Sequence, residues 1–276
     1  MSPQTAPSIA PRPFLKWAGG KNQLIPQYQA YFPFPRKFKT YYEPFLGGGA
    51  VFFHLLPGRG VLTDINPELV NVYCCVRDQV EPLTQLLQKH QQNHSYDYYY
   101  QVRAEKPNTE LERAARLIYL NKTCFNGLYR ENSKGDFNVP MGRYKNPGIC
   151  NADLLRSVSI ALRSIIIEIK PFEAVLQHAT HEDFVYFDPP YYPLSPTSNF
   201  TAYSRYAFEQ EHQVRLRDVF VELANRGVKV MLSNSDCEFI RELYQGFNIY
   251  AIAAARSINS KASKRGKITE VLVTSY

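Results

Sequence analysis

Residues 40–53 read TYYEPFLGGGAVFF. A β-prone apolar run, an acid, three consecutive glycines and a second apolar run describe a strand that turns through glycine into a helix. Residues 59–73, RGVLTDINPELVNVY, repeat the plan. Here a strand ends at Asp64 and a helix follows, with Asn66 suited to the N-cap and Pro67 to the first helical position. Two successive strand–helix units predict an α/β protein: a mostly parallel, Rossmann-like sheet covered by helices.

Farther along, residues 79–102 and 109–120 have helical period, with Leu111, Ala114, Ala115 and Ile118 at i, i+3, i+4 and i+7. No strand-like run interrupts them before the polar segment 121–147, NKTCFNGLYRENSKGDFNVPMGRYKNP. The α/β rhythm then resumes. A helix is expected over 151–164, a strand over 164–170, a helix at FEAVL (172–176), and a strand over 182–188. A helix carrying Leu216, Val219, Phe220 and Leu223, closed by Gly227, precedes a strand over 228–235. Residues 247–258 and 267–276, joined by the basic loop NSKASKRG, predict a closing antiparallel hairpin. The expected organisation is a flexible tail over 1–13, a sheet domain from 14–65 and 156–276, and an inserted, mostly helical module over 66–155.

Composition sets the class. With 45% apolar and 21% charged residues over 276, the chain is a soluble globular protein, unusually rich in rings at 20 Tyr and 17 Phe. A net charge of +7 favours a polyanionic partner such as nucleic acid, or else reflects a solvated surface alone. Cys74, Cys75, Cys124, Cys150 and Cys237 form no C-x-x-C pair, so a secreted disulfide framework is disfavoured and a reducing cytoplasm fits. His178 and His181 stand close together with no cysteine beside them, and no metal is expected. The start, MSPQTAPSIAPRP, holds four prolines and no apolar core, unlike a signal peptide. No apolar run reaches the ~18 residues of a membrane span.

Glycines 47–49 let backbone pass close to a ligand at the carboxyl edge of a parallel sheet, or serve only tight strand-to-helix packing. Asp64 follows at the interval of an acid that accepts from ribose hydroxyls; an acid favoured by the dipole at a helix start is the alternative. Together they point to an adenosine-containing cofactor. The G-x-G-x-x-G spacing that seats a pyrophosphate is missing, which argues against a dinucleotide-dependent oxidoreductase. Residues 187–192, FDPPYY, end a buried strand with an acid and a rigid extended turn. The Asp188 carboxylate and neighbouring carbonyls are acceptors suited to an exocyclic NH2, and Tyr191 offers a flat face to an extruded base.

KWAGGK (16–21), EPFLGGGAVF (43–52), LIYLNKTCFNGLYRENSKGDFNVPMG (117–142), DPPY (188–191) and SNS (233–235) occur in that order. In this the chain resembles the Dam-type, or D12-class, DNA adenine-N6 methyltransferases from residue 14 to its last. The resemblance implies S-adenosylmethionine as cofactor, double-stranded DNA as partner and the adenine of GATC as target. It implies a catalytic motif at Asp188, Pro189, Pro190 and Tyr191. It implies a cofactor site from Trp17, Lys21, Glu43, Phe45, Gly47, Gly48, Gly49, Asp64 and Asp188. The inserted module then corresponds to target recognition, with Lys16, Asn126, Leu128, Arg130 and Pro140 in base-reading positions. Arg130 suits guanine O6 and N7, or a phosphate; Leu128 or Pro140 suits a thymine methyl; Phe125 and Asn126 suit the gap left by a flipped base. Lys264, Arg265 and Lys267, with Lys261 beside them, read as phosphate grips or as a solvated loop.

The expected chemistry is direct in-line transfer, with Asp188 and the Pro189 carbonyl localising the N6 lone pair. Cytosine-N4 or RNA amino-methylation uses the same motif and remains the alternative; a DNA-binding module without activity is disfavoured. A monomer, working away from membranes, is expected.

Overall fold

The computed structural model of the chain describes residues 9–33, 38–194, 208–255 and 267–276. In chain order the elements are α1 (Ile25–Tyr28), β1 (Tyr41–Glu43), α2 (Ala50–Leu55), β2 (Gly60–Asp64), α3 (Pro67–Asp78), α4 (Val80–Asn93), α5 (Tyr96–Ala104), α6 (Glu110–Thr123), α7 (Ala152–Leu162) and β3 (Ile165–Ile169). They continue with β4 (Phe184–Phe187), α8 (Gln210–Asn225), β5 (Lys229–Ser235), α9 (Glu238–Leu243), β6 (Asn248–Ala255) and β7 (Lys267–Thr274). The sheet has seven strands in the order β3-β2-β1-β4-β5-β7-β6. β1 runs parallel to β2 and β4, and β4 parallel to β5. β7 is antiparallel to β5 and β6, the closing hairpin expected from the sequence. This is the mixed α/β, Rossmann-like architecture.

The chain packs as two compact units. The first comprises residues 1–20, 47–56 and 64–169, the second 21–46, 57–63 and 170–276.

In the second unit β4 is buried at every position because both its faces are covered. Val185 and Phe187 join Val230 and Leu232 of β5 against Leu216, Val219, Phe220 and Leu223 of α8. Phe184 and Tyr186 face the other way, toward the rings of Tyr41 and Tyr28. Each such fully buried side chain contributes about 1.5–3 kcal/mol through removal from water. α8 ends where Gly227 adopts φ 76°, a conformation natural to glycine.

In the first unit α6 packs against α3, α4 and α5, burying Ala114, Ala115, Leu117, Ile118 and Leu120. Its buried surface is wider than the single stripe in the sequence because several helices cover it. Asn66 caps α3 as expected, its Oδ1 accepting from the amides of Glu68 and Leu69, and Arg113 of α6 pairs with Glu68.

Two local expectations change. Residues 79–102 form two helices, because Ser95 leaves the helical conformation and its hydroxyl caps α5 through the Tyr98 amide. FEAVL lies within a short 3-10 helix, Phe172–Gln177, which Pro171 precedes in extended conformation. The short helix α9 follows β5 with no strong periodic run to announce it.

Candidate active site

β4 carries the chain to Asp188 at the carboxyl end of a central parallel strand. Pro189 and Pro190 have no N–H to continue the ladder, so the chain leaves the sheet there. The β4–β5 register places Phe187 beside Leu232, and the next residue of each strand supplies the contact that matters. Ser233 Oγ donates to Asp188 Oδ1 at 2.8 Å, and Lys21 Nζ meets the same oxygen at 2.8 Å. Tyr186 Oη lies 2.9 Å from Ser233 Oγ. A carboxylate only accepts, so the single serine proton points to Asp188 and the tyrosine hydroxyl donates to the serine. Burial, and next Asp188, hold the Tyr186 hydroxyl well above its usual range, keeping it a donor. Both donors meet Oδ1, and among the described residues Oδ2 has no hydrogen-bond partner.

The rest of the turn is fixed by side chains that sequence reasoning missed. Asn234 Oδ1 accepts from the Tyr192 amide at 3.1 Å and the Ser235 amide at 2.8 Å. Asn234 Nδ2 donates to Gln213 Oε1 at 2.9 Å, and Gln213 Nε2 donates to the Pro190 carbonyl at 2.9 Å. Ser235 Oγ donates to the Tyr192 carbonyl at 2.5 Å. Ser233, Asn234, Ser235 and Gln213 are all buried. The available signal was a run of polar residues, SNS, in a strand otherwise made for the core; buried polar groups need partners, and these partners are the turn. Tyr191 is half-buried, with Lys21 Nζ 4.7 Å from its ring centroid and its hydroxyl on Glu270.

Two residues expected at the cofactor also lie in this unit. Glu43 is buried and accepts from the Tyr41 hydroxyl at 2.8 Å. Phe45 stacks on Phe172, centroids 5.5 Å apart, and meets Phe187 and Phe208 edge-on.

The first unit holds the glycine turn. Gly47 (φ 47°) and Gly49 (φ 65°) take left-handed conformations, and a Cβ on Gly49 would lie 3.0 Å from Tyr73 Oη. Trp17 comes so close that a Cβ on Gly48 would stand 3.4 Å from its own Cβ, while its ring stacks on Tyr129. Asp64 ties the turn to α3: Oδ2 accepts from the Gly47 amide at 3.2 Å and Oδ1 from the Asn66 amide at 2.9 Å. Burial raises its carboxyl above the usual range, opposed by the amides of Asn66, Gly47 and Ile65.

In the segment after α6, Asn126 (φ 54°) and Gly127 (φ 65°) turn the chain sharply. A Cβ on Gly127 would fall 2.4 Å from Lys16 Cβ. Asn121, buried at the end of α6, accepts from the Lys16 amide and donates to the carbonyls of Lys16 and Gly127, locking the two stretches together. Lys16 is exposed, its ammonium 4.0 Å from the centre of the Tyr144 ring. Phe125 is 50% exposed and its amide donates to the Pro140 carbonyl. Leu128 is half-buried, while Asn126, Arg130 and Pro140 are exposed. Arg130 Nε donates to Asn138 Oδ1 at 2.6 Å. Lys264 and Arg265 lie outside the described residues; Lys267 opens β7. Among the described residues no group of three or more His, Cys, Asp or Glu could hold a metal, and no helix is long and apolar enough to cross a membrane.

An acceptor turn lies at the carboxyl end of a central parallel strand, braced by buried polar side chains from the next, which is where α/β enzymes bind ligands. The sequence pattern of the D12 class N6 adenine-specific DNA methyltransferases matches residues 17–258, and the chain belongs to that family. It is similar to a type II methyltransferase of Lactococcus lactis subsp. cremoris, 49% identical over 273 residues, covering 96% of this chain and 95% of the relative. A type II methyltransferase of Methanocaldococcus jannaschii is 43% identical over 286 residues, covering 96% and 99% respectively. The DNA adenine methylase of Escherichia coli K12 is 36% identical over 265 residues, covering 95% and 94%. Membership decides for adenine N6 in DNA over the cytosine or RNA alternative.

Proposed function

We propose that the enzyme transfers a methyl group from S-adenosylmethionine to N6 of adenine in GATC of double-stranded DNA, with the adenine swung out of the helix. The observation that carries the reading is Asp188, held through Oδ1 by Lys21 and Ser233, with Oδ2 unpartnered among the described residues. The open oxygen accepts an N6 hydrogen, which localises the amine lone pair as the new bond forms. The Pro189 carbonyl is the second acceptor. Tyr191 stacks on the base.

S-adenosylmethionine supplies an electrophilic methyl on a sulfonium and carries no phosphate. A glycine turn without pyrophosphate spacing, closed by Trp17 and tied by Asp64, suits such a molecule. Gly47, Gly48, Gly49, Trp17 and Asp64 are the holding residues in this reading, joined by Lys21, Glu43, Phe45 and Asp188.

Residues 66–155 supply target recognition. Lys16, Leu128, Arg130 and Pro140 read bases, Phe125 and Asn126 fill the gap, and Lys264, Arg265 and Lys267 grip phosphates. The GATC assignment is supported by the agreement of residues 117–142 with GATC readers of the family. The five cysteines are free thiols, compatible with a monomer in a reducing cytoplasm.

The test is labelled-methyl incorporation into duplexes with and without GATC. Asp188→Ala is expected to remove turnover while duplex affinity stays within about twofold. Substantial methylation by that variant would show the active site to be elsewhere.

A further inference from the structure

Glu270 is a half-buried carboxylate that the reaction described above leaves without a role. It lies on β7 opposite Ser235 of β5, and its Oε2 accepts a 2.6 Å hydrogen bond from the Tyr191 hydroxyl. Taking a carboxylate partly out of water to meet one tyrosine is unfavourable unless the bond does something, because water would satisfy the hydroxyl of a ring needed only for packing. The short distance marks a strong, charge-assisted bond. Lys21 adds a second constraint, since its ammonium stands 4.7 Å from the Tyr191 ring centroid and 2.8 Å from Asp188. Burial pushes the Glu270 carboxyl up, while Lys21 and the Tyr191 hydroxyl pull it down and Asp188 opposes them. The ring is thus pinned at its hydroxyl, and the lysine lies toward one face.

We infer that Glu270 is a positioning residue: by holding the Tyr191 hydroxyl it fixes the ring plane on which the extruded adenine stacks. The face away from Lys21 is the one that receives the base. This rests on the methyl-transfer reading and deepens it. A ring free to turn still binds DNA but presents the amine to Asp188 in many orientations, so the loss falls on turnover and not on affinity.

The test compares wild type, Glu270→Ala, Glu270→Gln and Tyr191→Phe in kcat and KM on a GATC duplex. The emission of 2-aminopurine at the target position is read alongside. Glu270→Ala is expected to lower kcat at least about tenfold with KM within about twofold, and to change the emission of the bound duplex. Glu270→Gln keeps an acceptor and should return to within about threefold of wild type. Tyr191→Phe keeps the ring without its hydroxyl and should fall with Glu270→Ala, the double variant being no worse than either alone. Wild-type kcat and emission in Glu270→Ala would overturn the inference, as would Glu270→Gln as impaired as Glu270→Ala. Should Glu270→Ala fail to fold, a Tyr191→Phe variant matching wild type overturns it instead. A wild-type chain that incorporates no methyl sinks the functional reading itself, whereas an active wild type equalled by Glu270→Ala sinks only the role of Glu270.

Discussion

The acceptor turn of the second unit and the segment after α6 in the first are both irregular stretches rich in polar residues, yet they are held in opposite ways. Around residues 188–192 the bracing side chains, Ser233, Asn234, Ser235 and Gln213, are buried and come from a central strand and a core helix. Around residues 125–140 the side chains proposed to read DNA are mostly exposed, and the turn is pinned from beneath by Asn121. The contrast fits the tasks proposed for the two regions. Displacement chemistry needs an acceptor fixed to within a fraction of an ångström, whereas a reading surface must stay open to a partner that arrives from solvent.

The sharpest way to break this comparison is Lys21→Met. Removing one partner of a buried ion pair leaves Asp188 uncompensated, and stability in urea should fall by about 3–5 kcal/mol, with turnover lost in addition. A variant as stable as wild type would mean that the acceptor site is not electrostatically braced. Asn234→Ala should cost about 1–3 kcal/mol by leaving the Tyr192 and Ser235 amides and Gln213 Oε1 without their Asn234 partner, and should lower kcat with little effect on duplex affinity. Affinity falling in place of kcat would place the brace on the binding side.

Arg130→Ala belongs to the exposed region and should behave differently. Stability should stay within about 0.5 kcal/mol, while discrimination between GATC and a duplex altered at the guanine shrinks by about 1–3 kcal/mol. Uniform weakening across sequences would make Arg130 a phosphate contact.

The smallest effect concerns Lys122, whose ammonium is pushed down to about 8 by burial first, then by Lys16 and Arg12. It carries charge below that pH and loses it above, so duplex affinity should decline modestly from about pH 7 to about pH 9. Lys122→Met should flatten that decline in a binding titration. Its folded value lies below the ordinary 10.5 of a lysine, so between them the unfolded chain binds more protons and stability rises with pH. A wild-type affinity that holds steady from pH 7 to 9 would show that the Lys122 charge does not act on DNA.

Much of the frame was written locally. TYYEPFLGGGAVFF and the run through Asp64 and Pro67 specify strand, glycine turn and capped helix with near neighbours alone, because alternation, φ freedom and capping act over a few residues. FDPPYY marks the strand end and supplies the acceptors by the same local logic. Helix breaks were less legible: Ser95 divides α4 from α5 by a single side-chain cap, a small effect that the apolar period does not register.

Tertiary structure alone decided which polar groups meet. That Ser233 faces Asp188 and that Glu270 takes the Tyr191 hydroxyl 79 residues away follow from strand order and register, and Lys21 closes the ion pair from the stretch before α1. Sequence spacing cannot encode such meetings, since a one-residue shift in register sends every side chain to the opposite face. The sequence by itself therefore determined the kinds of groups available and the strand end that bears them. The tertiary structure determined how Asp188 is held, with Ser233 and Lys21 both on Oδ1, because those partners come from distant parts of the chain.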